Sequence, residues 1–409
     1  ICGTFMAGLA GFAVQMGHKV TGQDKAYYPP MSNQLTNLGI KENISEDVVE
    51  DIIHCDAVII GNSQSRGNKS VEFILEKNLT FYSGPEWLKN NILKDKHVFV
   101  VSGTHGKTTT TSMLIKILKE NDIKPSFLIG GIDREENASF KYEDSKYFVI
   151  EGDEYDTSFF DKRSKFIHYK PNVLVINNLE YDHSDIFSNI DDIIRQFHFL
   201  IRTMSSHESI VYDETDINIK KIIDLGCWSK KIVFKKQEKI SNIYGDHNLK
   251  NCGAAITAAK TIGLSEEKCI NALESFKGVK RRQELIDYNG FTLYDDFAHH
   301  PTEIKASLKS LREENPGKKI ICLFEIRSNS MIAGTHKSEL IDAFLEADDF
   351  FLYCKKDINW LNPNENINFS TDLDKIIDEI KQSTEIVDIV ILMSNGNTDD
   401  IIKKIKNND

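Results

Sequence analysis

Lys107 and Thr108 end the loop Gly103-Thr104-His105-Gly106. The loop follows the apolar run Val98–Val101 and precedes a segment that sets Met113, Leu114, Ile117 and Leu118 on one helical face. Strand, glycine loop, Lys-Thr and helix together are a device for holding a nucleoside triphosphate. Glycines let backbone N–H groups close on phosphate oxygens, and the helix N-terminus adds partial positive charge. The lysine reaches the β- and γ-phosphates, and the first threonine hydroxyl can ligate Mg²⁺. The loop is shorter than the G-x-x-x-x-G-K-[ST] pattern, because its two glycines lie only three residues apart. ATP is the ligand these residues point to.

Two acidic clusters follow. The apolar strand Tyr147–Ile150 runs into Glu151-Gly-Asp153-Glu154-Tyr-Asp156, and Val173–Asn177 runs into Asn178-Leu-Glu180-Tyr-Asp182-His183-Ser-Asp185. Carboxylates at the C-terminal ends of strands in an open α/β sheet sit where ligands bind. Neighbouring strands ending in Lys-Thr, Glu and Asp-His make a site for one or two Mg²⁺ ions bridging phosphates, since hard oxygen donors suit that ion. A solvated acidic turn and a structural histidine are the plain alternatives. Further on, Gly245-Asp246-His247-Asn248-Leu249-Lys250-Asn251 precedes an Ala-rich helix from Cys252 to Ala259, with Asn248 placed as an N-cap or as a reader of an adenine edge. Asp295-Asp296-Phe-Ala-His299-His300-Pro301-Thr302-Glu303 follows a strand and opens a helix.

The elements that must position these clusters alternate apolar strands with helical segments, which predicts an α/β fold with parallel sheets. Three blocks separate: 1–96 with a Gly3/Gly8 loop and a strand at His18–Gly22 ending near Asp24; 97–277 with the phosphate loop; and 278–409 with strands at Phe291–Tyr294, Lys319–Phe324, Asp349–Tyr353 and Asp388–Met393. The chain begins at Ile1, inside what reads as a strand-to-glycine-loop junction, so a preceding strand is expected upstream. A net charge of −12 leaves no basic excess for nucleic acid. No apolar run approaches the roughly 20 residues of a membrane span. Seven cysteines without a C-x-x-C pair suggest neither a disulfide framework nor structural zinc, and a reduced cytoplasm fits them. Gly3, Gly8 and Asp24 also admit a dinucleotide-dependent oxidoreductase, but they lack the full G-x-G-x-x-G spacing. A nucleotide-binding protein without catalysis is a third reading.

Taken in order, six stretches resemble the Mur ligase family, the ATP-dependent amino-acid and peptide ligases of peptidoglycan synthesis. They are Gly103–Thr110, the Glu151 that follows the next strand, Asn177–His183, Gly245–Asn251, Arg281-Arg282 and Asp295–Glu303. The resemblance spans essentially the whole chain. It implies a three-domain architecture: a Rossmann-like UDP-binding domain (1–96), a P-loop-type central ATPase domain (97–277) and a Rossmann-like C-terminal domain that binds peptide (278–409). Two branches share the Asp-Asp-x-x-His-His-Pro-Thr-Glu form. One adds L-alanine to UDP-N-acetylmuramate. The other, in murein recycling, adds the tripeptide L-alanyl-γ-D-glutamyl-meso-diaminopimelate. Ile1–Ala10, Tyr28–Ser32, Gly61–Ser63, Arg66–Asn68, Ser83–Trp87, Ser158–Phe166 and Phe324–Met331 are similar to the tripeptide branch, and the alanine branch is the alternative.

The resemblance further implies an acyl-phosphate route. ATP phosphorylates the lactyl carboxylate of UDP-N-acetylmuramate, and the peptide amine displaces phosphate. Gly103, Thr104, His105, Gly106, Lys107, Thr108, Thr109, Asn251, Arg282, Asp296 and His299 would bind ATP. Lys107, Glu151 and His183 would be catalytic, with Thr108, Glu151 and His183 holding Mg²⁺. Gly3, Thr4, Phe5, Met6, Asp24, Asn62 and Ser63 would bind the UDP-sugar, and Arg327, Ser328 and Asn329 the peptide. A monomer or weak homo-oligomer is expected. Many family members carry a carbamylated lysine after the Asp-His motif, and the helix Asp191–Arg202 has no lysine. The alanine-adding branch lacks it too.

Overall fold

The computed structural model describes residues 1–25, 27, 31–43, 49, 52–361 and 368–406, apart from the side chains of 41–43 and 329. Tyr28–Pro30 of the stretch at 28–32, and the side chain of Asn329, lie outside it. Contacts divide the chain into two compact units. Unit 1 is Ile1–Tyr181, Ile186–Ser241 and Asn251–Lys277; unit 2 is Asp182–Asp185, Asn242–Lys250 and Gly278–Asp409. The blocks 1–96 and 97–277 thus lie mostly in one unit, while the Asp182–Asp185 segment groups with the C-terminal block.

Unit 1 is organised on a seven-stranded sheet in the order Lys230–Val233, Ser209–Tyr212, Val173–Ile176, His97–Ser102, Tyr147–Gly152, Ser126–Asp133, Ala138–Lys141. All neighbours are parallel except the last pair. Val98, Phe99, Val100 and Val101 are at most 1% exposed, as strands covered on both faces require. Helix Lys107–Glu120 buries Met113, Leu114, Ile117 and Leu118, the face its spacing predicts. Helix Ile190–Ile201 is held at its start by Asn189, whose side chain accepts from the N–H groups of Asp191 and Asp192, a local cap of about 1 kcal/mol. The first block supplies helix Thr4–Gln15 and two parallel strand pairs, Thr21–Gln23 with Lys41–Asn43 and Val58–Ile60 with Phe81–Ser83.

Unit 2 carries a six-stranded sheet in the order Glu284–Ile286, Thr292–Asp296, Ile389–Met393, Ile320–Glu325, Asp349–Tyr353, Asn368–Ser370, antiparallel only at its first pair. One core cluster packs Ile304, Leu308 and Leu311 of helix Pro301–Glu314 with Ile320, Cys322 and Phe324. The Ile321, Leu323, Val390 and Leu392 side of the sheet packs with Ile376, Ile377 and Ile380. Among the described residues, no helix is long and apolar enough to cross a membrane.

Some element ends differ from the sequence reading. The Ala-rich helix runs Asp246–Lys260, so Asn248 lies inside it and is not its N-cap. Its Nδ2 donates back to the Tyr244 carbonyl at 3.0 Å, because the Gly245 carbonyl already accepts the N–H groups of Asn248 and Leu249. The strand expected at His18–Gly22 is observed at Thr21–Gln23. Glu151 lies within its strand rather than after it, in register with Val101.

Candidate active site

The phosphate loop lies at the C-terminal end of His97–Ser102, between strands whose ends are level with it. Ser102 pairs with Gly152 on one side and Ile176 on the other. Two positions demand glycine. Gly103 has φ +127° and Gly106 φ +77°. A Cβ on Gly106 would stand 2.4 Å from Asn251 Oδ1, and one on Gly103 2.8 Å from the Asn178 carbonyl. Helix Lys107–Glu120 begins after Gly106 with no side-chain cap, which leaves first-turn N–H groups for an anion. Two asparagines at the next strand end shape the loop. The Thr104 N–H donates to the Asn178 carbonyl at 3.1 Å, and the His105 N–H to Asn178 Oδ1 at 2.8 Å. Asn177 Nδ2 donates to Thr110 Oγ1 at 2.9 Å. Thr104 Oγ1 accepts from the Glu180 N–H at 2.8 Å, and His105 Nε2 stands 3.4 Å from Glu180 Oε2.

Lys107 points its ammonium into this ring of acceptors. Nζ donates to the carbonyls of Gly103 at 2.7 Å and Thr104 at 3.2 Å, and it meets both oxygens of Glu154 at 3.2 and 3.1 Å. Burial alone would lower its pKa; the carboxylates of Glu154, Asp153 and Glu151 outweigh burial and raise it. Lys107 therefore stays charged. Glu151 behaves in the opposite sense. Burial pushes its carboxyl up, against the pull of Lys107 and hydrogen bonds from the Gly130 N–H and the Thr108 hydroxyl. The Gly130 N–H to Glu151 Oε2 distance is 2.7 Å.

The acidic run is braced by the antiparallel hairpin Asp156–Ser158/Asp161–Ser164. Ser164 Oγ donates to the Glu154 carbonyl at 2.5 Å, and the Lys165 N–H to the Tyr155 carbonyl at 2.9 Å. Lys165 Nζ pairs with Asp153 at 2.8 Å and lies 5.7 Å from the ring centres of both Phe5 and Tyr155. Glu151, Asp153 and Glu154 outnumber Lys107 and Lys165 by one negative charge. That excess, with the Thr108 hydroxyl and Glu151 as hard oxygen donors, fits a divalent cation of the Mg²⁺ type.

A cavity of about 280 Å³ opens beside Glu151 and Asp153. Gly3, Thr4, Phe5 and Met6 at the start of helix Thr4–Gln15 line it, as does Asn62. That helix also lacks a side-chain cap, and no atom lies within 4 Å of a Cβ built on Gly3. Backbone and space are thus open toward an anionic ligand. Asp24 and Ser63 are not among the lining residues. The Asp24 carboxylate instead accepts the Cys2 N–H at 2.7 Å. Tyr169 lines the cavity, and its buried hydroxyl has no hydrogen-bond partner among the described residues.

In unit 2, a second polar cluster gathers around the strand end at Asp296. Asp296 is 4% exposed and accepts from the Ala298 N–H at 2.8 Å, Ser307 Oγ at 2.7 Å and the Gln283 N–H at 3.2 Å. Burial raises its carboxyl against the pull of Arg282. With these acceptor positions filled by its own surroundings, Asp296 reads first as a brace for this strand end. Arg282 lies 5.1 Å from the Phe297 ring centre and 3.7 Å from Glu303. His299 Nδ1 stands 3.5 Å from Glu303, and burial pushes its imidazole below the usual value. Asp182 and His183 belong here too. Burial would raise Asp182, but His183, His299 and His300 hold it down. His183 has φ +57°, a costly conformation that persists at functional sites. Arg327 Nη1 is 3.9 Å from the buried Glu325, whose other oxygen accepts from Ser394 Oγ at 2.5 Å. Ser328 Oγ accepts from the Met331 N–H at 3.3 Å.

Glu154, Asn177, Asn178, Lys165 and Tyr169 were not singled out by sequence reasoning. Glu154 lay inside a run already marked, and the asparagines at a marked strand end, but pairing partners across 47 to 73 positions leave no spacing signal.

Comparison with known proteins extends these findings. Residues 1–96 match the model for the Mur ligase family, catalytic domain; residues 101–239 match the Mur ligase middle domain; residues 281–396 match the Mur ligase, glutamate ligase domain. The UDP-N-acetylmuramate–L-alanyl-γ-D-glutamyl-meso-2,6-diaminoheptandioate ligase of Haemophilus influenzae is 41% identical, over 99% of this chain and 97% of its own. A UDP-N-acetylmuramate–L-alanine ligase of Clostridium acetobutylicum is 31% identical, over 80% of this chain and 75% of its own. The crystal structure of a murein peptide ligase from Psychrobacter arcticus superposes with a TM-score of 0.76 at 33% identity, covering 99% of this chain and 96% of that one.

Proposed function

The chain belongs to the Mur ligase family, and from that premise we propose that it joins the tripeptide L-alanyl-γ-D-glutamyl-meso-diaminopimelate to UDP-N-acetylmuramate at the expense of ATP. The observation that carries this reading is the 41% identity across 99% of the chain to a ligase of that name, against 31% over 80% for an alanine ligase. The alanine-adding reaction is the alternative.

The chemistry follows from the acceptor carboxylate. Its oxygen is a poor leaving group, so the γ-phosphoryl group of ATP is transferred to it and ADP departs. The peptide amine then forms the amide bond as phosphate leaves and the amine gives up its proton. Positioning and charge neutralisation supply most of the rate. Lys107 neutralises the phosphoryl group in transfer, with Gly103, Thr104, His105, Gly106 and Thr109 around the phosphates. The loop N–H groups and the uncapped helix at Lys107 receive the phosphate oxygens. Thr108 and Glu151 would hold Mg²⁺, which supplies further charge neutralisation, and His183 is proposed as a metal ligand from its own cluster. Gly3, Thr4, Phe5, Met6 and Asn62 would receive the UDP-sugar in the cavity they line. Asp24 and Ser63 are assigned no contact in that cavity. Asn251, Arg282, Asp296 and His299 are proposed toward the nucleotide, and Arg327, Ser328 and Asn329 toward the peptide. The three-domain division at 96/97 and 277/278 is proposed with them. A reduced, cytoplasmic setting suits an ATP-consuming reaction and seven free cysteines.

The test compares amino acceptors. Purified protein with ATP, Mg²⁺ and UDP-N-acetylmuramate should release phosphate with the tripeptide and scarcely with L-alanine. The reverse preference would refute the assignment.

A further inference from the structure

Lys107 has three N–H donors, and four acceptors already surround them. They are the Gly103 carbonyl at 2.7 Å, the Thr104 carbonyl at 3.2 Å, and the Glu154 oxygens at 3.2 and 3.1 Å. The side chains of Lys107 and Glu154 are only 13% and 4% exposed, so water does little to screen the pair. To contact a nucleotide phosphate, the ammonium must give up at least one partner. The backbone carbonyls belong to its own loop and travel with it. Glu154 does not. It is also an anion, and an arriving phosphate repels it.

The backbone of Glu154 is held in place. Its backbone carbonyl accepts Ser164 Oγ at 2.5 Å. The neighbouring Tyr155 carbonyl accepts the Lys165 N–H at 2.9 Å. Asp153, on its other side, is paired with Lys165 at 2.8 Å. Thr157 Oγ1 closes the hairpin onto the Arg163 carbonyl at 2.7 Å. The hairpin therefore holds the Glu154 backbone at a set distance from the phosphate loop.

We propose that Glu154 is a positioning residue that competes with nucleotide phosphate for Lys107. It holds the ammonium over the loop before ATP arrives and takes it back as ADP leaves, with the Asp156–Ser164 hairpin as its mount. No covalent step is involved; one charge-assisted hydrogen bond is exchanged for another. The proposal rests on reading 103–108 as the ATP-phosphate loop. It goes beyond that reading by assigning nucleotide release to a residue that itself touches no substrate.

The competition has a signature that lost packing would not give. Glu154→Gln keeps the shape and one acceptor oxygen but removes the competing charge. It should bind ADP·Mg²⁺ and AMP-PNP more tightly, by about 5-fold or more in calorimetry, while kcat falls several-fold and inhibition by ADP strengthens. A residue that merely stabilises the fold would weaken nucleotide binding when changed. Ser164→Ala loosens the mount without touching the charge, and should shift affinity and kcat in the same directions by smaller factors. It carries the test if Glu154→Gln fails to fold. Unchanged or weaker ADP binding in a folded Glu154→Gln protein, or in Ser164→Ala if that variant alone folds, would overturn the proposal. Calorimetry uses neither the muramyl substrate nor the peptide, so an error in the acceptor assignment would leave its outcome intact. Failure of the unchanged chain to bind AMP-PNP at all would instead overturn both readings.

Discussion

Replacing Gly106 with alanine places a methyl group where the phosphate loop has no room for one. The new Cβ would lie 2.4 Å from Asn251 Oδ1 and 3.1 Å from Asn177 Nδ2, at φ +77°. An L-residue in the left-handed region costs about 1–2 kcal/mol, and an extra carbon in a filled space adds about 1–3 kcal/mol. The two terms together give roughly 2–5 kcal/mol. The loop relieves part of that strain by moving, and clearing the contact takes a shift of about 1 Å. A displacement of that size at a group that positions reactants costs on the order of 100-fold in rate. Gly106→Ala should therefore lose turnover by about two orders of magnitude and bind AMP-PNP more weakly, with a lowered denaturant midpoint. Phosphate release, calorimetry and urea unfolding measure the three effects. A variant with unchanged kcat and affinity would show that the loop conformation does not control phosphate placement.

Glu151→Ala should lower turnover by at least about 100-fold while the fold survives. Burial already disfavours its charged form, and Lys107 keeps Glu154 as a partner. Full activity would remove Glu151 from the site. His247 tests the pH response of unit 2. Burial depresses its imidazole to about 4, against the pull of Glu303. Between pH 6.5 and 4 the unfolded chain thus binds more protons than the folded one, and stability rises with pH across that window. The contribution is at most roughly 3 kcal/mol. His247→Gln should flatten this part of the stability–pH curve, read from urea midpoints at pH 4.5 and 7. An unaltered slope would mean that other groups carry it.

Much of the site is written along the chain. A phosphate loop is a contiguous strand, turn and helix, and its glycines are required by local φ and by close approach, so Gly103–Thr108 is legible without tertiary information. The same holds for the strand ends that carry Glu151 and Asn177, because parallel strands covered on both faces read as unbroken apolar runs. The Ala-rich helix was harder. An Asn followed by helix-forming residues resembles a cap, but the Gly245 carbonyl starts the helix earlier.

Tertiary structure alone decided which charges face each other. Lys107 meets Glu154 rather than Glu151 because Glu151 is held inside its strand, opposite Val101, where the Gly130 N–H takes its carboxylate. Glu154 lies beyond the strand end, where the hairpin turns it toward the loop. Asp182 and His183 lie in the same strand-end cluster as Asn178 and Glu180 in sequence, yet they group with His299 and His300. Residue types and local spacing determine what chemistry is available. Register and burial determine which pairs form, since a charge removed from water takes whichever partner the packing brings within reach.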